Sequence, residues 1–254
     1  MGRQKGLFKI SGTLGATNYY VVKGVGYVRK AGGGFNGATI RHAPSMQSVR
    51  DNASEFGQCS MVKKAFRLAI SPFLEGLSGR ALHSGMMSLF LQLKALDVVS
   101  ERGKRQVKLG LQTPEGRQLL STYKITPKQE LLEALQTHAV FDWSTQVLSV
   151  SKFDIRTYNT PKQATHVGIS LGILDFNFDR LSSALQLSPT HFLETSSETL
   201  PFTLSPLEVI VPEFCGIAVL GIRFFEVIDG LTNVMADGIG VQVLDCSFFA
   251  LTNI

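Results

Sequence analysis

Residues Lys5 to Arg41 read KGLFKISGTLGATNYYVVKGVGYVRKAGGGFNGATIR, and this stretch decides how the chain is organised. Apolar and polar residues alternate over 7–11, and aromatic and β-branched residues fill 17–22; both patterns are typical of strands. With a third short strand at 27–29, the sequence predicts a β-ribbon, and the three glycines at 32–34 predict a hinge after it. Such a ribbon is marginally stable alone, so it must lie on its own body or on a neighbour.

Charge is distributed unevenly along the 254 residues. Residues 1–50 contain eight Lys or Arg and no Asp or Glu. Residues 1–110 hold 17 basic and 5 acidic side chains, whereas residues 151–254 hold 5 basic and 11 acidic ones. A basic front and an acidic back favour two interpretations. In the first, the basic front binds nucleic acid or another anionic surface. In the second, the basic front of one copy binds the acidic back of the next, so that copies associate head to tail.

Composition limits the class of protein. Hydrophobic residues make up 44% of the chain and charged residues 18%, which is typical of a globular protein. No apolar run approaches the roughly 20 residues of a membrane span, so none is expected. No apolar segment follows the basic N-terminus, so we expect a cytoplasmic protein, with release as part of an assembly left open. The odd, widely spaced Cys59, Cys215 and Cys246 predict buried thiols, with a Cys215–Cys246 bridge as the alternative.

The order of patterns predicts an α+β fold. From Ser45 to Phe73 the apolar residues have helical spacing, with a break predicted at Gly57 and an end at Pro72; another helix follows over 82–96. After a charged loop, the sequence predicts one short helix near residue 126, a hairpin over 138–152 and strands over 164–178, 202–211, 215–228 and 238–251. The predicted segments are an N-terminal β-ribbon arm with a glycine hinge, a helical segment and a C-terminal antiparallel β-sandwich, at 1–44, 45–100 and 101–254 respectively.

The sequence contains no recognisable set of catalytic residues. Gly168-Ile169-Ser170-Leu171-Gly172 matches the nucleophile elbow of hydrolases, but the pattern continues as a strand where the elbow needs a helix. Asp175, Asn177 and Asp179 have the spacing of a calcium loop, which then lacks its glycine and its final glutamate. The sequence therefore predicts a protein that is not an enzyme, with no catalytic residue, cofactor or metal site.

The main hypothesis is a self-assembling structural subunit of a filament, tube or shell, and hence a homo-oligomer or polymer. In it the arm docks on a neighbouring copy through apolar, aromatic and basic side chains: Phe8, Ile10, Tyr19, Tyr20, Val22, Tyr27, Arg29, Lys30 and Arg41. Their expected acidic partners on the next copy are Glu208, Glu213 and Asp237. Tyrosines interleaved with basic residues can also stack on bases, so a nucleic-acid-associated protein is the alternative. A sandwich module that binds a glycan or a surface partner is the third hypothesis.

The front of the chain also resembles a family of uncharacterised bacterial proteins. The similarity is dense to about residue 110 and sparser beyond it. It implies no activity, and implies only that the front and back of the chain belong to one unit. The matching motifs are Arg3-Gln4-Lys5-Gly6, Gly12-Thr13-Leu14-Gly15, Tyr19-Tyr20, Gly26-Tyr27-Val28-Arg29, Gly32-Gly33-Gly34 and Arg50-Asp51-Asn52-Ala53-Ser54-Glu55-Phe56-Gly57.

Overall fold

A computed structural model describes residues 2–6, 8–31, 37–77, 79–126, 129–151, 153–198, 201–209 and 211–249. It mixes helices with antiparallel sheets. The chain forms two compact units, Met1–Ala53 and Ser54–Ile254. The three segments delimited from the sequence stay predictions, and the predicted glycine hinge at 32–34 lies outside the described residues.

The first unit contains a small antiparallel sheet, called here the N-terminal sheet, in the order β1-β4-β3-β2. It has four strands rather than the predicted three: β1 (Gly2–Arg3), β2 (Gly12–Leu14), β3 (Thr17–Val22) and β4 (Val25–Lys30). The tight turn at Lys23 and Gly24, both with positive φ, joins β3 to β4.

The predicted strand at 7–11 is wrong over residues 8–11, which form no strand. The side-chain amide of Gln4 replaces the ladder there. Its Oε1 accepts from Ile10 N at 2.8 Å, and its Nε2 donates to Ile10 O at 3.0 Å and to Tyr27 O at 3.0 Å. One side chain therefore satisfies the backbone of Ile10 that a neighbouring strand would otherwise pair.

Four helices follow: α1 (Gly37–His42), α2 (Gln47–Ala69), α3 (Ser71–Leu74) and α4 (Arg80–Ala95). The predicted break at Gly57 is wrong, because α2 runs through it. An interior glycine costs a helix about 1 kcal/mol. Packing of Cys59, Val62 and Phe66 into the core offsets that cost. Pro72 lies in the first turn of α3, so it begins a helix and does not end α2.

The second unit continues with three more helices: α5 (Val107–Leu111), α6 (Pro114–Ser121) and α7 (Glu130–His138). The sequence predicts only the last of them, so α5 and α6 are missing from the prediction. The predicted hairpin is confirmed as β5 and β6. The strands are β5 (Ala139–Asp142), β6 (Val147–Val150), β7 (His166–Asn177), β8 (Ser182–Leu187), β9 (His191–Glu194), β10 (Phe202–Leu204), β11 (Cys215–Ile228), β12 (Leu231–Val234) and β13 (Gly240–Phe248).

Two sheets organise these strands. A six-stranded sheet curls into a half-barrel around the long β7–β11 pair; β8 and β9 lie beside β7, and β12 and β13 lie beside β11. A three-stranded sheet has the order β10-β6-β5. Helices α2 to α6 share a hydrophobic core with one face of the large sheet. Helix α7 and the three-stranded sheet share a second core with the opposite face. Successive side chains of β7 and β11 point to opposite faces of the sheet, so each of these strands contributes side chains to both cores.

The three cysteines are buried free thiols, as the sequence predicts. Burial raises the pKa of Cys59 to about 11. Cys215 lies opposite Phe248 and Cys246 lies opposite Ile217, so the two cysteines are diagonal neighbours on β11 and β13. Diagonal Cα atoms in a sheet are about 7–8 Å apart, which is longer than the usual span of a disulfide. The alternative of a Cys215–Cys246 bridge is therefore not supported.

Candidate assembly surfaces

The N-terminal sheet exposes apolar side chains and buries almost nothing. Of its strand residues, only Gly26 is buried. A sheet is stabilised by covering one apolar face, and the described residues of this sheet form no such buried core. The large apolar side chains exposed in and beside it are Phe8, Ile10, Leu14, Val21, Val22 and Val25. Leu14, Val21 and Val25 are additions to the predicted anchors. Only Val21 lies in a segment that the sequence predicts as a strand, 17–22, and its place there was the available signal.

On one face of this sheet, two tyrosine rings lie beside an arginine side chain. Strand register places Tyr20 opposite Tyr27 and Val22 opposite Val25. The two tyrosine rings stack with centroids 5.7 Å apart, and the Arg29 guanidinium lies 5.5 Å from the Tyr20 centroid, within cation–π range. The structure thus brings together four of the predicted anchors on one face.

The other predicted residues lie elsewhere. Tyr19 and Lys30 belong to the opposite face of the sheet, since Tyr19 pairs with Val28 and Lys30 with Thr17. Phe8 and Ile10 lie in the loop that Gln4 holds. Arg41 lies in α1. The predicted set is therefore divided among two sheet faces, a loop and a helix.

The predicted acidic partners are all exposed: Glu208, Glu213 and Asp237. The residues around Glu208 and Glu213 form the acidic segment, defined as the described residues of 205–213. It also exposes Leu207, Val209 and Val211, which the sequence assigns to a strand. That strand ends at Leu204, because the prolines at 206 and 212 cannot donate to a ladder.

The half-buried Asp175 fixes the end of the acidic segment. The Asp175 carboxylate accepts hydrogen bonds from Glu213 N at 3.0 Å and from Phe214 N at 3.1 Å. Asn177 Oδ1 accepts from the backbone of Asp179 and Arg180. The side-chain oxygens of Asp175 and Asn177, which resemble those of a calcium loop, thus bind backbone amides instead, and the Asp179 carboxylate forms a salt bridge with Lys108. In the described part of the chain, no group of three or more His, Cys, Asp or Glu is placed to hold a metal ion.

Ser170 is a strand residue in β7, as predicted. The glycines around it have a packing role, because the Phe73 ring lies directly on the sheet there. A Cβ at Gly172 would lie 2.6 Å from that ring, and one at Gly221, on the paired strand, 2.4 Å from it. Both distances are shorter than a real Cβ contact, so these positions require glycine.

The charged loop after α4 is built on two buried carboxylates that the sequence did not reveal. Asp97 accepts from the backbone N–H groups of Val99, Ser100 and Gln106 at 2.8–3.0 Å. Glu55 binds Lys94 through one oxygen and the N–H of Gly103, at 2.8 Å, through the other. The two carboxylates therefore hold the loop in one conformation directly after α4.

Hydrogen bonds lower the pKa values of both carboxyl groups, Glu55 and Asp97, by more than burial raises them. Burial raises the pKa of Glu55, but the bonds from Lys94 and Gly103 outweigh it and hold the pKa below the ordinary value. Burial likewise raises the pKa of Asp97, and the N–H groups of Ser100 and Gln106 lower it by more. Both groups therefore stabilise the fold in their charged form.

This chemistry predicts loss of stability in acid. In the unfolded chain these carboxyls bind protons first, near pH 4.5 and 3.8, so their contribution is complete above that range and is lost as the pH falls through the lower folded-state pKa values. We expect the urea midpoint of unfolding to fall as the pH is lowered from about 5. The Asp97→Asn variant should have a lower urea midpoint than the wild type at neutral pH, and its midpoint should change less as the pH falls. A wild-type midpoint that is independent of pH would contradict the assignment.

Comparison with known proteins gives no relative for these surfaces. No protein-family model, no curated protein and no solved structure matches the chain. The resemblance to uncharacterised bacterial proteins therefore stays a prediction. Within the described ranges, no helix has the length and hydrophobicity needed to cross a bilayer.

Proposed function

We propose that this protein is a self-assembling structural subunit of a filament, tube or shell, and that its N-terminal sheet is an arm that docks on a neighbouring copy. The observation that carries the proposal is the exposed apolar surface of that sheet, whose strands bury only Gly26. Complete burial of a Val, Leu, Ile or Phe side chain contributes about 1.5–3 kcal/mol. Covering even part of six such side chains would offset a substantial cost of ordering the contact.

The acidic segment of the next copy is the proposed docking site. It offers exposed Leu207, Val209 and Val211 together with the carboxylates of Glu208 and Glu213. The arm offers apolar side chains with Arg29 and Lys30, so both the apolar surface and the sign of charge are complementary. Among the described strands, β2 is also an edge of the N-terminal sheet, and an extended segment can pair with such an edge. Because the two surfaces differ, repeated contact produces a ring or an open filament.

In this proposal the body that presents the docking site is a β-sandwich. What supports it is the core that the three-stranded sheet shares with the six-stranded one, through Leu148, Val150 and Leu204 on one side and Ile169, Leu171 and Leu220 on the other. No enzyme activity is part of the proposal.

A nucleic-acid-associated protein is the second candidate. The stacked Tyr20–Tyr27 pair with Arg29 above it is the kind of platform on which a base stacks, in a region of 50 residues without an acid. Retention on DNA or RNA that falls steeply with salt, by a protein that stays monomeric, would favour this candidate over assembly.

Removal of the arm tests the proposal. We expect wild-type protein to sediment as a concentration-dependent series of oligomers and to give regular particles or fibres in negative stain. Deletion of residues 1–35 should leave a folded body that sediments as a monomer. Folding is checked by circular dichroism and by the cooperativity of unfolding.

A pair of substitutions makes the test specific in the full-length chain. Phe8→Ser with Ile10→Ser removes two exposed anchors outside any strand, and should raise the dissociation constant about tenfold or more. Val98→Ser with Val99→Ser is the matched control, since both valines are also exposed and lie in a loop of the body. Equal assembly by wild type and the Phe8/Ile10 variant, or a wild-type protein that remains monomeric, would contradict the proposal.

A further inference from the structure

A wide groove runs along α2 and α3, and the proposed arm contact does not use it. This α2 groove has a volume of about 1140 Å³ and is open to solvent. Phe56, Met61 and Leu68 contribute large side chains to it, and each of them is more than half exposed. Phe56 belongs to the helical apolar spacing of the sequence but lies outside the core. A groove that exposes several large apolar side chains to solvent is typical of a binding site.

The groove is also positively charged. Lys63, Lys64 and Arg67 line it, and Glu75 is the acid among its lining residues. The salt bridges found among the described residues do not involve these three cations. Residues spaced three or four apart on a helix share a face, so α2 presents its cations between Phe56 and Leu68. The occupant must therefore be apolar and acidic.

The same chain carries an element with that chemistry. Strands β11 and β12 form a hairpin around Asp229 and Gly230, both with positive φ. At its tip Ile228 pairs with Leu231, and these side chains are 51% and 70% exposed. All four residues of β12 are exposed, and β12 is an edge strand of the large sheet.

The hairpin is acidic as well as apolar. Glu226 lies on β11 before the turn, and Asp229 lies in the turn itself. Neither carboxylate is part of a salt bridge within the described ranges of the chain. Since Glu226 and Ile228 alternate with Val227 along the strand, both point to the same side of the hairpin. Apolar and anionic groups are thus combined on one face.

We propose that the β11–β12 hairpin of one copy occupies the α2 groove of the next. This inference rests on the proposed self-assembly and supplies it with a second contact, between bodies. The dimensions agree, because Phe56 to Leu68 spans about 18 Å of helix, and a four-residue strand is about 13 Å long. Ile228 and Leu231 would contact Phe56 and Leu68, while Glu226 and Asp229 would face the lysines and Arg67. A second copy explains both surfaces at once, and different surfaces on one chain join head to tail.

Reciprocal charge changes in the full-length protein test this contact. Lys64→Glu with Arg67→Glu reverses the groove. Glu226→Lys with Asp229→Asn reverses the hairpin, and Asn tolerates positive φ as Asp does. Each variant alone should raise the dissociation constant of self-association about tenfold or more in sedimentation velocity. An equal mixture of the two should regain association, since one variant then supplies a wild-type groove and the other a wild-type hairpin. Lys162→Glu with Arg180→Glu is the matched control for the groove variant, with the same charge change at two exposed sites outside the groove.

The outcomes separate this contact from the arm. Wild-type association by both variants, with assembly still lost on deletion of residues 1–35, would overturn the hairpin contact and leave the proposed function intact. Loss of association by each variant without recovery in the mixture would also overturn it, because the two surfaces would then have different partners. Normal association of the groove variant with loss of binding to anionic vesicles would assign the groove to a lipid surface instead. A wild-type protein that never associates would overturn both proposals.

Discussion

Replacement of Glu55 by alanine is expected to lower the free energy of unfolding by about 3–5 kcal/mol. Glu55 is only 2% exposed, and its oxygens bind the Lys94 ammonium, at 2.5 Å, and the N–H of Gly103. The Lys94 side chain is itself only 14% exposed. The substitution therefore leaves a buried cation without a partner and releases the loop after α4, which are two separate losses.

Chemical unfolding of matched variants measures this effect. Glu101→Ala removes the partner of Lys104 in the same loop, but both side chains are exposed there, so we expect no change in the midpoint. Glu55→Met with Lys94→Met removes both charges and should recover the part of the loss that comes from the unpaired Lys94, but not the part that comes from the Gly103 N–H. A loss from Glu55→Ala no larger than that from Glu101→Ala would show that the pair is not buried in solution.

Local patterns in the sequence predicted the elements that depend on local chemistry. The aromatic and β-branched residues of 17–22 identified β3, and the glycine after Lys23 identified its turn. The spacing of Met86, Leu89, Phe90 and Leu93 identified the buried face of α4, which the structure confirms. In each case side chains and turn residues a few positions apart are sufficient to specify the element.

Elements that depend on distant residues were not predictable. Glu55 and Gly103 are 48 residues apart, so no spacing rule joins them. The same holds for the division of the arm residues. The sequence predicts Ile10 and Tyr20 as anchors alike, and only the structure shows that the side chain of Gln4 holds Ile10 in a loop. Phe56 looks like a core residue by its spacing, and only the three-dimensional fold shows that it lines the groove.

The helices α5 and α6 were missed for a related reason. They are short, at five and eight residues, and isolated helices of that length are not stable in water. Tertiary packing stabilises them, and two glycines that look like loop residues in the sequence make that packing close. A Cβ at Gly110 would lie 1.8 Å from Leu93 O of α4, and one at Gly116 would lie 2.1 Å from Gly110 O.

Gly110→Ala is accordingly expected to destabilise the protein by about 3 kcal/mol or more, or to prevent folding of the second unit. The atom that the new methyl group meets is a backbone carbonyl oxygen within α4, which cannot rotate away as a side chain can. Helices α4 and α5 would have to separate, and the buried side chains of Val107 and Leu111 would lose their contacts. Urea unfolding, followed by circular dichroism, measures the loss.

Gly57→Ala is the matched control, because it makes the same chemical change at a glycine inside a helix. A Cβ at Gly57 meets no atom within 4 Å, so only the backbone effect remains. Alanine restricts the unfolded chain and favours the helix, and should therefore stabilise the protein by about 0.5–1 kcal/mol. The two substitutions are thus expected to act in opposite directions. Equal effects from both would mean that the close contact between α4 and α5 does not exist in solution.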